Sequence, residues 1–599
     1  MRVIATAGHV DHGKSTLIRR LTGMEPDRWA EERRRGLTID LGYAWTTLPS
    51  GRVAAFVDVP GHARFVPNML AGVGPVPAVL FVVAADEGWM PQSTEHLDAL
   101  AALEVADGLL VVNRCDRADP APAAAQAAER LAGTSLAGIP TVAVSGATGA
   151  GIAELTDAVD ALCARLPDPD PAADVRLWVD RAFTVRGAGT VVTGTLPGGT
   201  VRTGDELAVS PGTARVRVRN LESLGTQADA VSGVARVALN LRGVAPGDLG
   251  RGHALLTPDV WLSGTVTDVR LRRVADRLPR AVTVHVGAAA VPATVRRLGP
   301  DTARVTTDRA LPLRVGDRLL LRDPGAHRIL AGALVLDVLP PPLGRRGATT
   351  TRAAELAGLT GIPDATSELR RRGLVRAGTL RAMGVPPAGT PVAGDWLADP
   401  TWWAGVRSRL VAAVDAHRAA EPLSTGLPLA AAAHALDLPD PALVAAAATD
   451  PLTVRDGRVR RADVAPALPV PVARAVAAVH ADLAADPYAA PESARLSQLG
   501  LGRRELAAAV RAGTLLEVAP GIVLRPGADA AAVPLLAALP QPFTLSEARR
   551  ALHTTRRVAV PLLEHLDRTG RTRRLADSRR EVDGAGTADA GPTDTAEPD

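Results

Sequence analysis

Through the N-terminal quarter of the chain, short and largely apolar runs recur between polar, turn-rich stretches: Arg2 to Ala7, Val53 to Val59, Ala78 to Ala85, Gly108 to Val112 and Val142 to Ser145. Runs apolar on both faces belong inside a covered parallel sheet, so this part reads as an α/β domain, with Ser15 to Leu21 as its first helix. A Pro-rich linker, DPDPAAD at Asp168 to Asp174, ends the pattern. The next segments are short, β-branched and separated by turns: Arg176 to Val179, Thr190 to Thr195, Glu206 to Val209, Arg215 to Leu221 and Ala235 to Leu239. That rhythm predicts an all-β barrel, and a second such set runs from Ser263 to Val338, closed by Pro340, Pro341 and Pro342.

From Gly344 onward Ala-rich helical stretches take over, and four segments repeat a helix end, a turn and two short strands. They lie at Leu369 to Gly384, Ala447 to Arg461, Val510 to Gly527 and Leu566 to Val582, with turns at Gly373, Asp450, Gly513 and Gly570. Spacings of 77, 63 and 57 residues between those turns suit winged-helix units. Such units also serve transcription regulators and inert spacers, so this part alone does not specify RNA. The whole is expected to be a multidomain chain: an α/β P-loop domain, two β-barrels and α/β winged-helix repeats.

Composition removes several classes. At 47% hydrophobic and 22% charged residues the chain is neither disordered nor collagen-like. No stretch of about 18 uninterrupted apolar residues occurs and the N-terminus lacks the features of a signal peptide, so a cytoplasmic chain with no membrane partner is expected. Cys115 and Cys163 are too few for a disulfide framework and lack metal-ligand spacing. Of 68 basic side chains other than histidine, Lys14 is the single lysine. Arginine has replaced lysine wherever either serves, which makes many arginines uninformative and this one lysine the opposite.

Lys14 lies in GHVDHGKS, Gly8 to Ser15, which fits G-x-x-x-x-G-K-[ST] at every fixed position. A compact ammonium reaches β- and γ-phosphates where the wider guanidinium does not fit. The strand, loop and helix around it bring backbone N–H groups onto a phosphate chain, with Gly8, Asp11, His12, Gly13, Lys14 and Thr16 as expected contacts and Ser15 as a ligand for Mg²⁺. A second strand ends in DVPGH, where Asp58 is a candidate to hold Mg²⁺ through water and Gly61 to approach the phosphates. A third leads to DEGWMPQSTEH at Asp86 to His96 and a fourth to NRCD at Asn113 to Asp116, each at a strand's carboxyl end, where open parallel sheets bind ligands. An aspartate accepts from both N1–H and N2–H of guanine, and adenine offers no such pair, so Asp116 is the expected base reader. Arg114 stands where the usual motif has lysine, and its aliphatic stem is expected to cover the base face. Ser145 and Gly146 form the last element, with the Gly146 N–H expected at guanine O6.

The combination of GHVDHGKS, the GLTI of Gly36 to Ile39, DVPGH and the Glu87 to Gln92 segment resembles the translational GTPases of the elongation-factor type. Within that group, ATAGHVDHGKS at Ala5 to Ser15, RGLTIDLGYA at Arg35 to Ala44 and DVPGHARFVPNMLAGVG at Asp58 to Gly74 resemble the bacterial selenocysteine-specific elongation factors. The resemblance implies that Thr38 ligates Mg²⁺ when a γ-phosphate is present and that His62 orients the attacking water, with Val10 and Leu37 holding it back until the ribosome moves it. It implies two barrels after the GTP-binding domain, the first forming part of an aminoacyl-tRNA site in which Asp180, Arg181 and Arg236 hold the aminoacyl group. It also implies that the last winged unit grips an mRNA hairpin marking a UGA codon.

Expected boundaries are 1–172 for the GTP-binding domain, 173–258 and 259–343 for the barrels, 344–399, 400–465, 466–527 and 528–583 for four winged helices, and 584–599 for an acidic disordered tail. From Ser546 to Val582 there are ten arginines against five acids. Arg556 and Arg557 begin the expected recognition helix, Arg573 and Arg574 lie on the wing, and Pro561 inside that helix should kink or weaken it. The resulting expectation is a monomeric GTPase that carries selenocysteyl-tRNA to the ribosome, with GTP and Mg²⁺ as cofactors. A nucleotide-switched winged-helix regulator of DNA and a general elongation factor are the alternatives; barrels and the Asp180, Arg181, Arg236 set argue against the first, and four winged helices without a use against the second.

Overall fold

A computed structural model of the chain describes residues 1–26, 38, 40–62, 66–73, 76–185, 189–245, 247–275, 277–326, 328–463 and 468–583. Of the sequence expectations, those on Gly36, Leu37, Ile39 and the acidic tail lie outside the described residues. The chain divides into two compact units, residues 1–390 with 395–397, and residues 391–394 with 398–599.

The first unit opens with a six-stranded sheet of order β2-β3-β1-β4-β5-β6: β1 (Arg2–Ala7), β2 (Gly42–Thr47), β3 (Val53–Asp58), β4 (Ala78–Ala84), β5 (Asp107–Asn113) and β6 (Thr141–Ala143). Only β2 runs antiparallel to its neighbour. Alternate residues of each strand serve opposite faces. Ile4, Phe56, Leu80 and Leu109 pack with Leu17 and Ile18 of α1 (Lys14–Thr22) and with Leu155, Val159 and Leu162 of the C-terminal helix Ile152–Arg165. Val3, Val57, Phe81 and Leu110 face Met69 of α2 (Val66–Val73), Leu97 and Leu100 of α3 (Pro91–Ala102), and Ala123 and Ala127 of α4 (Pro120–Leu131). Each such burial contributes about 1.5–3 kcal/mol. Truncating Phe56, 1% exposed, to Ala would cost about 3–5 kcal/mol. This double covering turns the carboxyl ends of β1, β3 and β5 into one edge where loops can carry ligands.

The first β unit spans β7 (Arg176–Trp178), β8 (Arg181–Val185), β9 (Gly189–Leu196), β10 (Thr200–Arg202), β11 (Glu206–Ser210), β12 (Arg215–Ser223), β13 (Thr226–Ala228), β14 (Ala230–Ser232), β15 (Ala235–Arg242) and β16 (Ala254–Leu256). Its main sheet follows the path β7-β16-β11-β12-β15-β9-β8, and the Asp180 N–H, between β7 and β8, bonds the Thr193 carbonyl of β9 at 3.0 Å, curling the sheet back on its start. The second β unit comprises β17 (Ser263–Arg272), β18 (Ala281–Val286), β19 (Ala289–Arg297), β20 (Thr302–Pro312), β21 (Arg318–Arg322) and β22 (Ile329–Asp337), and it is a closed barrel of order β17-β20-β19-β18-β21-β22.

The first helical segment belongs with the barrels. Asp268 and Asp337 of the second barrel are fully buried, and Arg352 bridges them at 2.8 and 2.5 Å; Arg371 and Arg372 each reach Asp337 at 2.6 Å. Burial works against the Asp337 charge, yet Arg371 and Arg372 hold its carboxyl below the ordinary range. This segment also departs from the predicted repeat. Leu374–Arg376 is followed by a helix, Ala377–Ala382, and the second strand comes only at Trp396–Ala398, so its turn and strands are not a simple hairpin.

In the second compact unit the other three repeats have the predicted hairpins, Leu452–Arg455 with Arg458–Arg461, Leu516–Ala519 with Ile522–Leu524, and Thr572–Arg574 with Arg580–Val582. The last two share one core: Val479, Leu483 and Val523 cluster with Leu536, Phe543, Leu562 and Leu566. Pro561 does not break its helix, which runs from Arg556 to Arg568. Val558, Ala559, Leu562, Leu563 and Leu566 are buried along one face, and that packing outweighs the one N–H that proline withholds.

Candidate functional site

The loop after β1 is shaped by groups beneath it. Gly8 has φ 131°, and a Cβ there would lie 2.1 Å from the Val82 carbonyl oxygen, so no other residue fits. Its N–H donates to His96 Nδ1 at 3.0 Å, and the Val10 N–H to Gln92 Oε1 at 3.2 Å. Burial drives His96 down to about 3, so the ring stays neutral and its Nδ1 remains an acceptor. Helix α1 begins at Lys14 without a side-chain cap, which leaves its first N–H groups for an anion. Lys14 Nζ meanwhile donates to the carbonyls of Gly8 and His9 at 3.0 and 2.6 Å. Burial lowers its pKa to about 8, against the opposing fields of the Asp58 and Asp11 carboxylates.

Three oxygen donors from three different segments meet beside it. Ser15 Oγ donates to Asp58 Oδ2 at 2.6 Å and lies 2.9 Å from Thr38 Oγ1. Thr6 Oγ1 donates to the other Asp58 oxygen at 2.8 Å, which fixes the carboxylate at the end of β3. Hydroxyls with a single carboxylate are hard donors that suit Mg²⁺ shared with phosphate oxygens. Gly61 closes this end: a Cβ would come 2.6 Å from Lys14 Nζ and 2.6 Å from the Val10 nitrogen.

At the other end Asn113 ties the walls together, donating from Nδ2 to the His12 carbonyl at 2.9 Å and accepting the Gly146 N–H on Oδ1 at 3.0 Å. The Gly146 N–H predicted for guanine O6 is therefore already used, because the Asn113 side chain reaches it first. Ser145 Oγ donates to Asp116 Oδ1 at 2.5 Å and orients that carboxylate. Arg114 sits in the left-handed region at φ 62°, and its guanidinium engages Glu87 at 2.7 Å, Asp86 at 3.2 Å and the Asp11 carbonyl.

Together these elements enclose a cleft of about 650 Å³. Asp11, Gly13, Lys14, Ser15, Thr16, Thr38, Gly61, Asn113, Arg114, Asp116 and Gly146 line it, as does Val10. Gly8, Asp58 and Ser145 instead support the wall from behind. The His12 side chain points away from the cleft, fully buried with Nδ1 3.3 Å from the Val82 carbonyl, and burial takes its pKa to about 4, so His12 can offer a phosphate only its backbone N–H. His62 is half-buried directly after Gly61.

A second pocket, of about 790 Å³, lies between β2 and the first β unit. Arg236 of β15 forms a two-pronged pair with Asp180, one contact at 2.7 Å, and its guanidinium covers the Tyr43 ring at 3.8 Å. Arg181 pairs with Asp40 at 2.6 Å. All three predicted aminoacyl-pocket residues thus come together, but each arginine already has a carboxylate.

Three family profiles match the chain: the elongation factor Tu GTP binding domain over residues 1–165, the beta-barrel domain of the selenocysteine-specific elongation factor over 277–342, and the winged helix of elongation factor SelB over 535–580. Elongation factor Tu 2 of Streptomyces avermitilis is 33% identical over 283 residues, covering 43% of this chain and 72% of that protein. The chain belongs to the elongation-factor family of translational GTPases. Within the family it is similar to the selenocysteine-specific elongation factors of Escherichia coli, 38% identical over 62% of this chain, and Desulfomicrobium baculatum, 36% identical over 64%. The chain spans 61% and 63% of the length of those two relatives. Its fold matches the crystal structure of bacterial selenocysteine-specific elongation factor EF-Sec with a TM-score of 0.74 at 24% identity, over 97% of this chain and 100% of that one.

The arginines predicted to meet RNA have unequal freedom. Arg556 opens the helix Arg556–Arg568 and is exposed, and Arg574 on the wing is exposed with a 3.2 Å bond to Ser578. Arg557 instead reaches back to the carbonyls of Ala490 and Pro491, so it fastens the last two winged units to each other. Arg573 pairs with Glu581 across the hairpin. No helix among the described residues is long and apolar enough to cross a membrane.

Several supporting residues carried no role in the sequence reading. His96 and Gln92 stand in the segment singled out at Asp86 to His96, but only the fold puts them under the loop. Asp40 and Tyr43 follow Thr38 within five residues, and no local signal marks their arginine partners.

Proposed function

We propose that the chain is a GTP-dependent elongation factor that carries selenocysteyl-tRNA to ribosomes at UGA codons marked by an mRNA hairpin. The observation that carries the reading is the pair Arg181 and Arg236 in a pocket walled by β2, the strand that follows the nucleotide residue Thr38. A selenol is more acidic than a thiol, whose free pKa is about 8.5, so selenocysteine enters as an anion at neutral pH. Arg181 bonds Asp40 through one terminal nitrogen, and its other N–H groups can turn to a selenolate. Seryl-tRNA offers them no charge.

In the cleft, phosphates replace the Gly8 and His9 carbonyls as partners of Lys14 and take the open N–H groups of α1. Asp116, oriented by Ser145, accepts from the guanine edge, while Arg114 presents its stem to the base because its head is held by Asp86 and Glu87. Ser15, Thr38 and Asp58 would hold Mg²⁺, which would supply positive charge against the phosphate oxygens. His62 orients water for attack at the γ-phosphate, and Val10 on the cleft wall restrains it until ribosome contact. The last winged unit takes the hairpin, with Arg556 and Arg574 as its readiest phosphate contacts.

The test is binding of selenocysteyl-tRNA and seryl-tRNA, on the same tRNA body, with a non-hydrolysable GTP analogue bound. Selenocysteyl-tRNA should bind more tightly, and Arg181→Ala should remove most of that preference. Equal affinities in the unsubstituted protein would replace the reading by that of a general elongation factor.

A further inference from the structure

Thr38, Asp40 and Tyr43, close neighbours in sequence, between them touch both sites. Thr38 Oγ1 is 2.9 Å from Ser15 Oγ in the nucleotide cleft, the Asp40 carboxylate is 2.6 Å from the Arg181 guanidinium, and the Tyr43 ring lies 3.8 Å under that of Arg236. Asp40 and Arg181 are 141 residues apart in sequence, and both side chains are largely covered, at 29% and 24% exposure. Two residues of extended chain span only about 7 Å, so any large displacement of Thr38 pulls on Asp40. Tyr43, by contrast, is held in β2 by its register with Val57 of β3. The moving end of this strap is therefore Asp40, and the partner it would leave is Arg181.

We propose that Asp40 is a positioning residue that couples the bound nucleotide to the aminoacyl pocket. The proposal rests on the selenocysteyl-tRNA reading above. When a γ-phosphate keeps Thr38 beside Ser15, Asp40 stays on Arg181 and aims the remaining N–H groups of its guanidinium into the pocket. When the γ-phosphate is lost and Thr38 leaves, Arg181 loses the carboxylate that orients it and holds the anionic aminoacyl group less well. Linkage makes the effect reciprocal: selenocysteyl-tRNA must tighten the GTP form by the same factor by which the GTP form tightens selenocysteyl-tRNA. Asp180 gives Arg236 no such dependence, since both belong to the β unit itself.

The experiment uses the full chain, unsubstituted and as Asp40→Asn, Arg181→Gln and the double variant, titrated with selenocysteyl-tRNA in the presence of a non-hydrolysable GTP analogue or of GDP. The readout is the ratio of the two affinities. Asp40→Asn should lower that ratio about fivefold, the lower end of typical coupling, and leave affinity for the GTP analogue without tRNA within about twofold, since Asp40 is off the cleft wall. In the Arg181→Gln background the same substitution should change the ratio no further. Asp40→Glu keeps the charge on a longer stem and should retain most of the ratio, which also covers the case of an ill-folded Asp40→Asn protein. An unchanged ratio in Asp40→Asn overturns the proposal, as does an undiminished effect of Asp40→Asn in the Arg181→Gln background. Tighter binding in both nucleotide states would overturn it too, making Asp40 a competitor for Arg181. A ratio of one in the unsubstituted protein would instead sink the selenocysteyl-tRNA reading, and is seen before any substitution is made.

Discussion

The cation of the nucleotide cleft and the cations of the last winged unit are held in opposite ways. Among the described residues Lys14 hydrogen-bonds neutral carbonyls, those of Gly8 and His9, and no carboxylate, which keeps its N–H groups for an incoming phosphate at the expense of its own desolvation. In the last unit Arg573 faces Glu581, Arg579 faces Asp577, Arg580 faces Asp567 and Arg571 faces Asp529. Four of the ten arginines from Ser546 to Val582 thus already share their charge with a carboxylate, whereas the single lysine of the cleft shares its charge with none by hydrogen bond. What matters to a phosphate is the charge of a cation's existing partner, since a carboxylate must be displaced or shared and a carbonyl need not be.

The largest expected effect tests the cleft side of this contrast. Lys14→Ala should weaken GTP binding about thousandfold, equivalent to about 4 kcal/mol, as expected when a buried charge-assisted contact is lost. Equilibrium binding of a fluorescent GTP analogue measures it, and a loss below about tenfold would place Lys14 with the ordinary surface cations.

A pH titration sharpens the same point. Burial puts the Lys14 pKa of the nucleotide-free protein at about 8, below its ordinary 10.5. The folded state then binds fewer protons than the unfolded state between those values, so this group adds stability as pH rises through that window and costs stability below it. Phosphates favour the charged lysine, so GTP affinity should fall up to about tenfold per pH unit above 8, with net proton uptake on binding. Calorimetry in buffers of differing ionisation enthalpy reads that uptake, and none at pH 9 would mean the lysine is already fully charged.

The smallest effect separates arginines within the last unit. Binding of the full chain to the hairpin RNA should lose about 0.7–0.9 from its log–log salt slope with Arg556→Ala. Arg573→Ala should change the slope by much less, because Glu581 already shares that charge. Equal slopes for the two would show that pairing in the free protein does not govern which arginines meet phosphate.

The parts legible in the sequence are those whose chemistry is contiguous. The P-loop works through its own backbone, so eight adjacent residues specify it, and five of the six strands of the sheet announced themselves as apolar runs; the edge strand β2, whose last three residues are only partly covered, did not. Strand ends at Asp58 and Asn113 fell within a residue of their expected places for the same reason. Winged-helix hairpins followed the turns marked at Asp450, Gly513 and Gly570; the turn at Gly373 failed because a helix between its strands leaves no local mark.

Tertiary structure alone decided the pairings. Arg557 looked like Arg556, yet only the packing of the last two winged units turns it onto the Ala490 and Pro491 carbonyls. Asp337 draws Arg352, Arg371 and Arg372 together and so joins the first helical segment to the second barrel. His96 under the loop, Asn113 on the Gly146 N–H and Asp40 on Arg181 are likewise contacts between segments distant in the chain. The physical reason is common to all of them: a side chain's partner is set by distance in space, and the sequence records a motif only where one short segment supplies all of its atoms.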